Sequence, residues 1–190
     1  MIAPSVSELP APSSWLLRWQ QGLRFGSTAL DLACGSGRNL RHLAGLGLQI
    51  TGVDRDAAAL AGLQGLAEII PADIEAGPWP LGARQFDLVL VCNYLWRPLL
   101  PQIVAAVAPG GTLIYETFAD GQQSIGRPAR ADFLLQPGEL LEVCAGLRVI
   151  GFEDGFERGA GHSGGKPRYV QRIAAVRVQP GEQFPRHLLD

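Results

Sequence analysis

Leu30-Asp31-Leu32-Ala33-Cys34-Gly35-Ser36-Gly37-Arg38-Asn39 reads as a buried strand that breaks into a glycine turn and opens a helix. Glycines at 35 and 37 let the backbone approach a bound molecule with no Cβ in the way. The helix that follows aims its unpaired N–H groups at the same space. Asp31 stands just before the turn. A dinucleotide fingerprint asks for a third glycine three residues after Gly37, where this chain has Leu40, and it would set a pyrophosphate against the charge of Asp31. The turn therefore points away from a nicotinamide dehydrogenase and towards a ligand that carries positive charge.

Outward from this turn, short apolar runs alternate with amphipathic segments. Strands are expected at 29–33, 48–53, 67–70, 86–92 and 111–117. Between them, a helix from Ser36 carries Leu40, Leu43, Ala44 and Leu46 towards the sheet, and Asp56 caps an alanine-rich helix running to about Leu66. Strand, helix, strand at these lengths means right-handed crossovers and a parallel sheet, with the ligand beyond the carboxyl ends of the strands. Asp31, Asp54, Asp73 and Asn93 converge there, whereas Asp87 precedes its strand and reads as structural. Upstream, residues 1–12 are a flexible lead-in, and Ser13 or Ser14 starts a helix with Trp15, Leu16, Trp19 and Leu23 on one stripe. Downstream, 119–136 is a long polar loop, and Pro137 starts a helix with Leu140, Leu141 and Cys144. Two last strands, 147–153 and 169–178, are joined by the glycine-rich stretch 155–167. One domain is expected over 13–179, with 180–190 as a tail.

Composition sets the outer bounds. The chain has 190 residues, 47% hydrophobic and 18% charged, which suits one folded domain with a sizeable core. A net charge of −2 gives no bulk attraction for nucleic acid. The N-terminus lacks a secretory pattern, no run of eighteen apolar residues suggests a membrane span, and Cys34, Cys92 and Cys144 have no zinc-like spacing. A cytoplasmic protein with no metal site and no membrane partner is expected.

Asp31-x-x-x-Gly35-x-Gly37, Gly52-Val53-Asp54, Pro71-Ala72-Asp73-Ile74, the run Gln85 to Asn93, and Pro109-Gly110-Gly111-Thr112-Leu113 follow one another in register. Together they resemble the motifs of class I S-adenosylmethionine-dependent methyltransferases. The segments 93–100, 115–118 and 133–140 are similar to small bacterial tellurite-resistance-like members. The resemblance implies an α/β fold: a Rossmann-like, doubly wound, seven-stranded and mostly parallel sheet with an antiparallel edge strand. It implies S-adenosylmethionine as cofactor, with Asp31 on the methionine amine and Ala33, Cys34, Gly35 and Gly37 along the turn. Asp54 would take the ribose hydroxyls and Asp73 the adenine amino group, with Arg55 and Ile74 against the ring and Asn93 beside the cofactor.

The implied reaction is direct displacement onto a small-molecule methyl acceptor aligned by Tyr94, Arg97, Tyr115 and Glu116. Glu116 is either a base or is satisfied by a neighbouring arginine. Arg97, Arg127 and Arg130 are candidates for an anionic substrate, His162 shares an exposed loop with Ser163 and Lys166, and Cys34 with Cys92 would offer two thiolates to a soft metalloid. Asn93-Tyr94-Leu95-Trp96 lacks the prolines of adenine amino-methylating enzymes. An RNA or protein methyltransferase, and a cofactor-binding protein without transfer activity, are the alternatives.

Overall fold

Leu88 and Leu90 face one side of β4 (Phe86–Cys92), Val89 and Val91 face the other, and all four are fully buried. A strand apolar on both faces needs a covering layer on each. The computed structural model, which describes residues 10–159, 166–182 and 187, supplies both layers. On one face Trp15, Leu16 and Trp19 of α1 (Ser14–Trp19), Leu40 and Leu43 of α2 (Arg38–Gly45) and Leu60 of α3 (Ala57–Leu60) pack together. On the other lie Leu100 and Ile103 of α4 (Leu100–Ala105) and Leu140 of α5 (Glu139–Val143).

The sheet has seven strands: β1 (Thr28–Leu32), β2 (Gln49–Asp54), β3 (Glu68–Pro71), β4, β5 (Val107–Phe118), β6 (Arg148–Glu157) and β7 (Arg168–Val176). Their order is β3-β2-β1-β4-β5-β7-β6. β3 to β5 pair in parallel. β7 runs antiparallel to β5 on one side and to β6 on the other, so the antiparallel strand is one in from the edge and β6 closes the sheet. Strand order reverses between β1 and β4, and the crevice beyond their carboxyl ends is where such sheets bind ligands.

Three local expectations change. The alanine-rich helix is α-helical only over Ala57–Leu60 and tightens to a 3-10 turn at Ala61–Leu63, because Gly62 and Gly65 interrupt the helix formers. β5 starts at Val107, four residues before position 111, with a register shift against β4 between Phe86 and Leu88. The helix after the glycine turn begins at Arg38 rather than Ser36. Among the described residues no helix is long and apolar enough to cross a membrane.

Candidate active site

β1 ends at Leu32, and the chain then turns through three left-handed residues, Ala33 (φ 54°), Gly35 (φ 55°) and Gly37 (φ 77°), before α2 begins. A Cβ on Gly37 would run into the Leu63 side chain, and its left-handed backbone favours glycine. A Cβ on Gly35 would meet nothing within 4 Å: this turn faces open space. Asp54, at the end of β2, braces it. Its Oδ2 accepts from the Gly35 N–H at 2.7 Å and its Oδ1 from the Asp56 N–H at 2.9 Å, leaving each oxygen a further lone pair. Asp73 Oδ1 accepts from the N–H groups of Glu75 and Ala76, and its other oxygen has no bond to the protein's backbone. Ala33, Asp54, Arg55, Asp73, Ile74 and Tyr94 line a cavity of about 130 Å³ beside these groups.

Asp31 is 2% exposed, and its Oδ2 has no hydrogen-bond partner. Burial pushes its carboxyl up to about 7, against the opposing pull of the Arg38 guanidinium and the Leu40 N–H. Among the described residues, Ala33 and Asn93 (φ 55°) are the non-glycine positions in left-handed backbone. They follow β1 and β4, the two strands that flank the reversal of strand order, so backbone strain sits at the crevice. An orphaned buried carboxylate oxygen, an open glycine turn and two more carboxylates at strand ends suit a ligand rich in hydrogen-bond donors and carrying positive charge.

Tyr94 lines that cavity, and its neighbour Asn93 lines a larger one of about 740 Å³, bounded also by Ser13, Arg38, Glu116, Arg127 and Arg168 among others. Glu116 is 1% exposed. Arg38 Nη2 lies 4.0 Å from its Oε1; Arg168 Nη2 and Arg172 Nη1 lie 3.5 and 3.9 Å from its Oε2, which has no hydrogen bond. Arg168 also pairs with Glu157 at 2.6 Å, and Arg172 with Glu153 at 2.6 Å. Glu116 thus has three arginines as neighbours. Sequence reading missed Arg38, Arg168 and Arg172 as site residues. A signal existed: a hairpin that pairs Glu157 with Arg168 also pairs Glu153 with Arg172, which aligns two carboxylates with two guanidiniums on one face.

Several candidate residues are engaged elsewhere. Arg97 lines neither cavity: its Nε and Nη2 grip both oxygens of Glu139 at 2.8 Å, and it donates to the carbonyls of Asp132 and Leu134. Its guanidinium clamps the 119–136 loop and α5 to the exit of β4. Tyr115 is fully buried, and its hydroxyl donates to the Tyr94 carbonyl at 2.9 Å, fixing that loop from below. Tyr94 lines the smaller cavity, where burial and then the charges of Glu75 and Asp73 push its hydroxyl up, so it stays protonated at neutral pH. Arg130 pairs with Asp132 and lies over Phe133. Burial pushes Cys34 up to about 12 and Cys92 well above the usual thiol range, so the two are neutral thiols rather than a thiolate pair. Asp87 accepts from the N–H and hydroxyl of Thr28, the structural role expected of it. His162 and Ser163 lie outside the described residues.

A protein family described as Methyltransferase domain matches residues 29–111, which run from β1 into β5. The chain is 38% identical over 104 residues to a ribosomal protein L11 methyltransferase of Thiobacillus denitrificans, covering 52% of this chain and 35% of that protein. It is 37% identical over 103 residues to a ubiquinone biosynthesis O-methyltransferase of Burkholderia multivorans, covering 48% and 44%. The match thus spans less than half the length of these curated relatives. In fold it is similar to TehB from Haemophilus influenzae, with a TM-score of 0.63 at 20% identity, over 80% of this chain and 58% of the other.

Proposed function

We propose that this chain, which carries a class I S-adenosylmethionine-dependent methyltransferase domain, is an enzyme that methylates a small-molecule nucleophile by direct displacement. The observation that carries the reading is Asp31, a buried carboxylate with an unpartnered oxygen at the mouth of an open glycine turn. In this reading Asp31 receives the methionine ammonium. Asp54 takes the ribose hydroxyls on its remaining lone pairs, and Asp73 receives the adenine amino group. Arg55 and Ile74 bound the ring, Ala33, Cys34, Gly35 and Gly37 give close approach along the turn, and Asn93 forms the boundary with the acceptor cavity.

S-adenosylmethionine, when bound, supplies a methyl carbon activated by a sulfonium, and the electron pair of the broken S–C bond stays on sulfur. The chain's task is then alignment and exclusion of water. Tyr94 contributes a wall. Glu116 acts as an anchor for arginines, and Arg97 as a brace for the loop above the cavity, so the reading needs no carboxylate base. The partly open cavity of about 740 Å³, a size suited to one small ligand beside the cofactor's tail, favours a small acceptor over RNA or protein. Three free cysteines accord with action in the cytoplasm.

Isothermal titration with S-adenosylmethionine and, in parallel, with NAD tests the cofactor. Binding of the first alone is expected, and Asp54→Ala should weaken it by ~1–3 kcal/mol through loss of charge-assisted hydrogen bonds. Unchanged affinity in that variant removes Asp54 from the site. Release of S-adenosylhomocysteine from an acceptor screen separates an enzyme from a protein that only binds the cofactor.

A further inference from the structure

We propose that the acceptor is an organic acid: a small molecule with an apolar body and a carboxylate or similar oxyanion, its anionic end held by Arg127, Lys166 and Arg168. The inference rests on the methyltransferase reading above and specifies its substrate class. Four cations, Arg38, Arg127, Lys166 and Arg168, line the larger cavity against two carboxylates, Glu116 and Glu157, and both of those are already paired with arginines. Positive charge is left facing the space.

The individual donors bear this out. Arg168 gives its Nε to Glu157 at 2.6 Å and points Nη2 at Glu116, while Nη1 reaches only Asn93 Oδ1 at a long 3.5 Å. One face of the guanidinium is therefore aimed at the cavity beside the end of β4. Among the described residues, the side chains of Arg127 and Lys166 make no ion pair or hydrogen bond within the protein, although both line the cavity. Arg127 is also held in position. The buried side chain of Gln122 donates to the Arg127 carbonyl at 3.1 Å and accepts from the Tyr169 N–H at 2.9 Å. This tether joins the loop bearing Arg127 to β7 next to Arg168, bringing guanidiniums 41 residues apart to one cavity. Phe118 and Ile125 line the same cavity, with Ile125 47% exposed, and give an apolar body somewhere to lie. Arginine forks match planar carboxylates and other oxyanions, and in a partly enclosed cavity they discriminate strongly against neutral isosteres.

The test uses the chain saturated with S-adenosylhomocysteine and titrated calorimetrically with benzoate, inorganic phosphate and the neutral isostere benzamide. Benzoate is expected to bind at least tenfold tighter than benzamide. The double variant Arg127→Gln/Lys166→Gln, both exposed positions, is expected to lose at least tenfold in benzoate affinity while holding S-adenosylhomocysteine within twofold of the parent chain. Phosphate binding in preference to benzoate would support an oxyanion acceptor of phosphoryl type. Equal affinity for benzoate, phosphate and benzamide overturns the proposal while leaving the cofactor reading intact. So does a double variant that loses the cofactor but keeps benzoate, since the cations would then serve the cofactor's own carboxylate. A folded chain that does not bind S-adenosylhomocysteine overturns the methyltransferase reading beneath it.

Discussion

Asp31 and Glu116 are both carboxylates with 2% exposure or less, each at the reactive edge of the sheet and each with one oxygen lacking a hydrogen bond, yet they sit in opposite surroundings. Three guanidiniums surround Glu116 within 4.0 Å. Around Asp31 burial dominates, with Arg38 the one cation that relieves it, and its carboxyl rises from 3.8 to about 7. The difference assigns them different work. A carboxylate already caged by cations fixes the positions of those cations. A buried one without a partner is poised to receive a cation from outside. Arg38 stands between the two and couples them.

The largest effect is expected at Glu116. Replacing it by alanine leaves three clustered guanidiniums facing each other, and Glu116→Ala should destabilise the fold by about 3 kcal/mol, with Glu116→Gln milder. A denaturant midpoint within error of the parent chain would mean that the cage is ornamental.

Asp31→Asn should act in the reverse sense on stability. A carboxyl whose folded value lies above its unfolded value contributes stability that is full below about pH 4 and is lost as pH rises through about 7. At pH 8 the asparagine variant should therefore be more stable than the parent by on the order of 2 kcal/mol, while its affinity for S-adenosylmethionine falls by a similar amount. A variant that melts lower at pH 8, or binds normally, contradicts the role given to Asp31.

A pH series sharpens the same contrast. An incoming ammonium favours the ionised carboxylate, so parent-chain affinity should rise as pH is raised through about 7, approaching tenfold per unit on the acid side, and flatten above it. The Asp31→Asn variant should show no such rise. The smallest effect is expected at Ala33. Its left-handed backbone costs an alanine ~1 kcal/mol, partly offset by the greater unfolded-state freedom of glycine, so Ala33→Gly should stabilise by ~0.5 kcal/mol. A fall in melting temperature would locate a packing role for its methyl group.

What could be read from the chain beforehand was local. The glycine turn, Asp31 before it, Asp54 ending β2, Asp73 just beyond β3, and the continuous apolar run of β4 all lie within windows of a few residues, and each stands where the local pattern puts it. The roles that changed depend on partners far away in sequence. Arg97 meets Glu139, 42 residues on, and Tyr115 meets the carbonyl of Tyr94, 21 residues back. Neither distance leaves a mark on composition or period. Glu116 draws Arg38 from one helix and Arg168 from a distant strand, so its surroundings become legible only once β7 is known to lie between β5 and β6. The Glu153/Glu157 and Arg168/Arg172 pattern is the exception, a non-local pairing that hairpin register alone would have revealed.

One contact made early in the chain reaches further than its size suggests. Ser13 caps α1 with its hydroxyl while its N–H donates to Asn39 Oδ1 at 2.8 Å, and Arg38 reaches back to the Ala11 carbonyl at 3.1 Å. Because Ser13 and Ser14 also line the larger cavity, part of its wall comes from a segment that belongs to no strand of the sheet. A protease that clipped the chain just after Ser14 would cut outside all seven strands and yet breach the wall of this cavity.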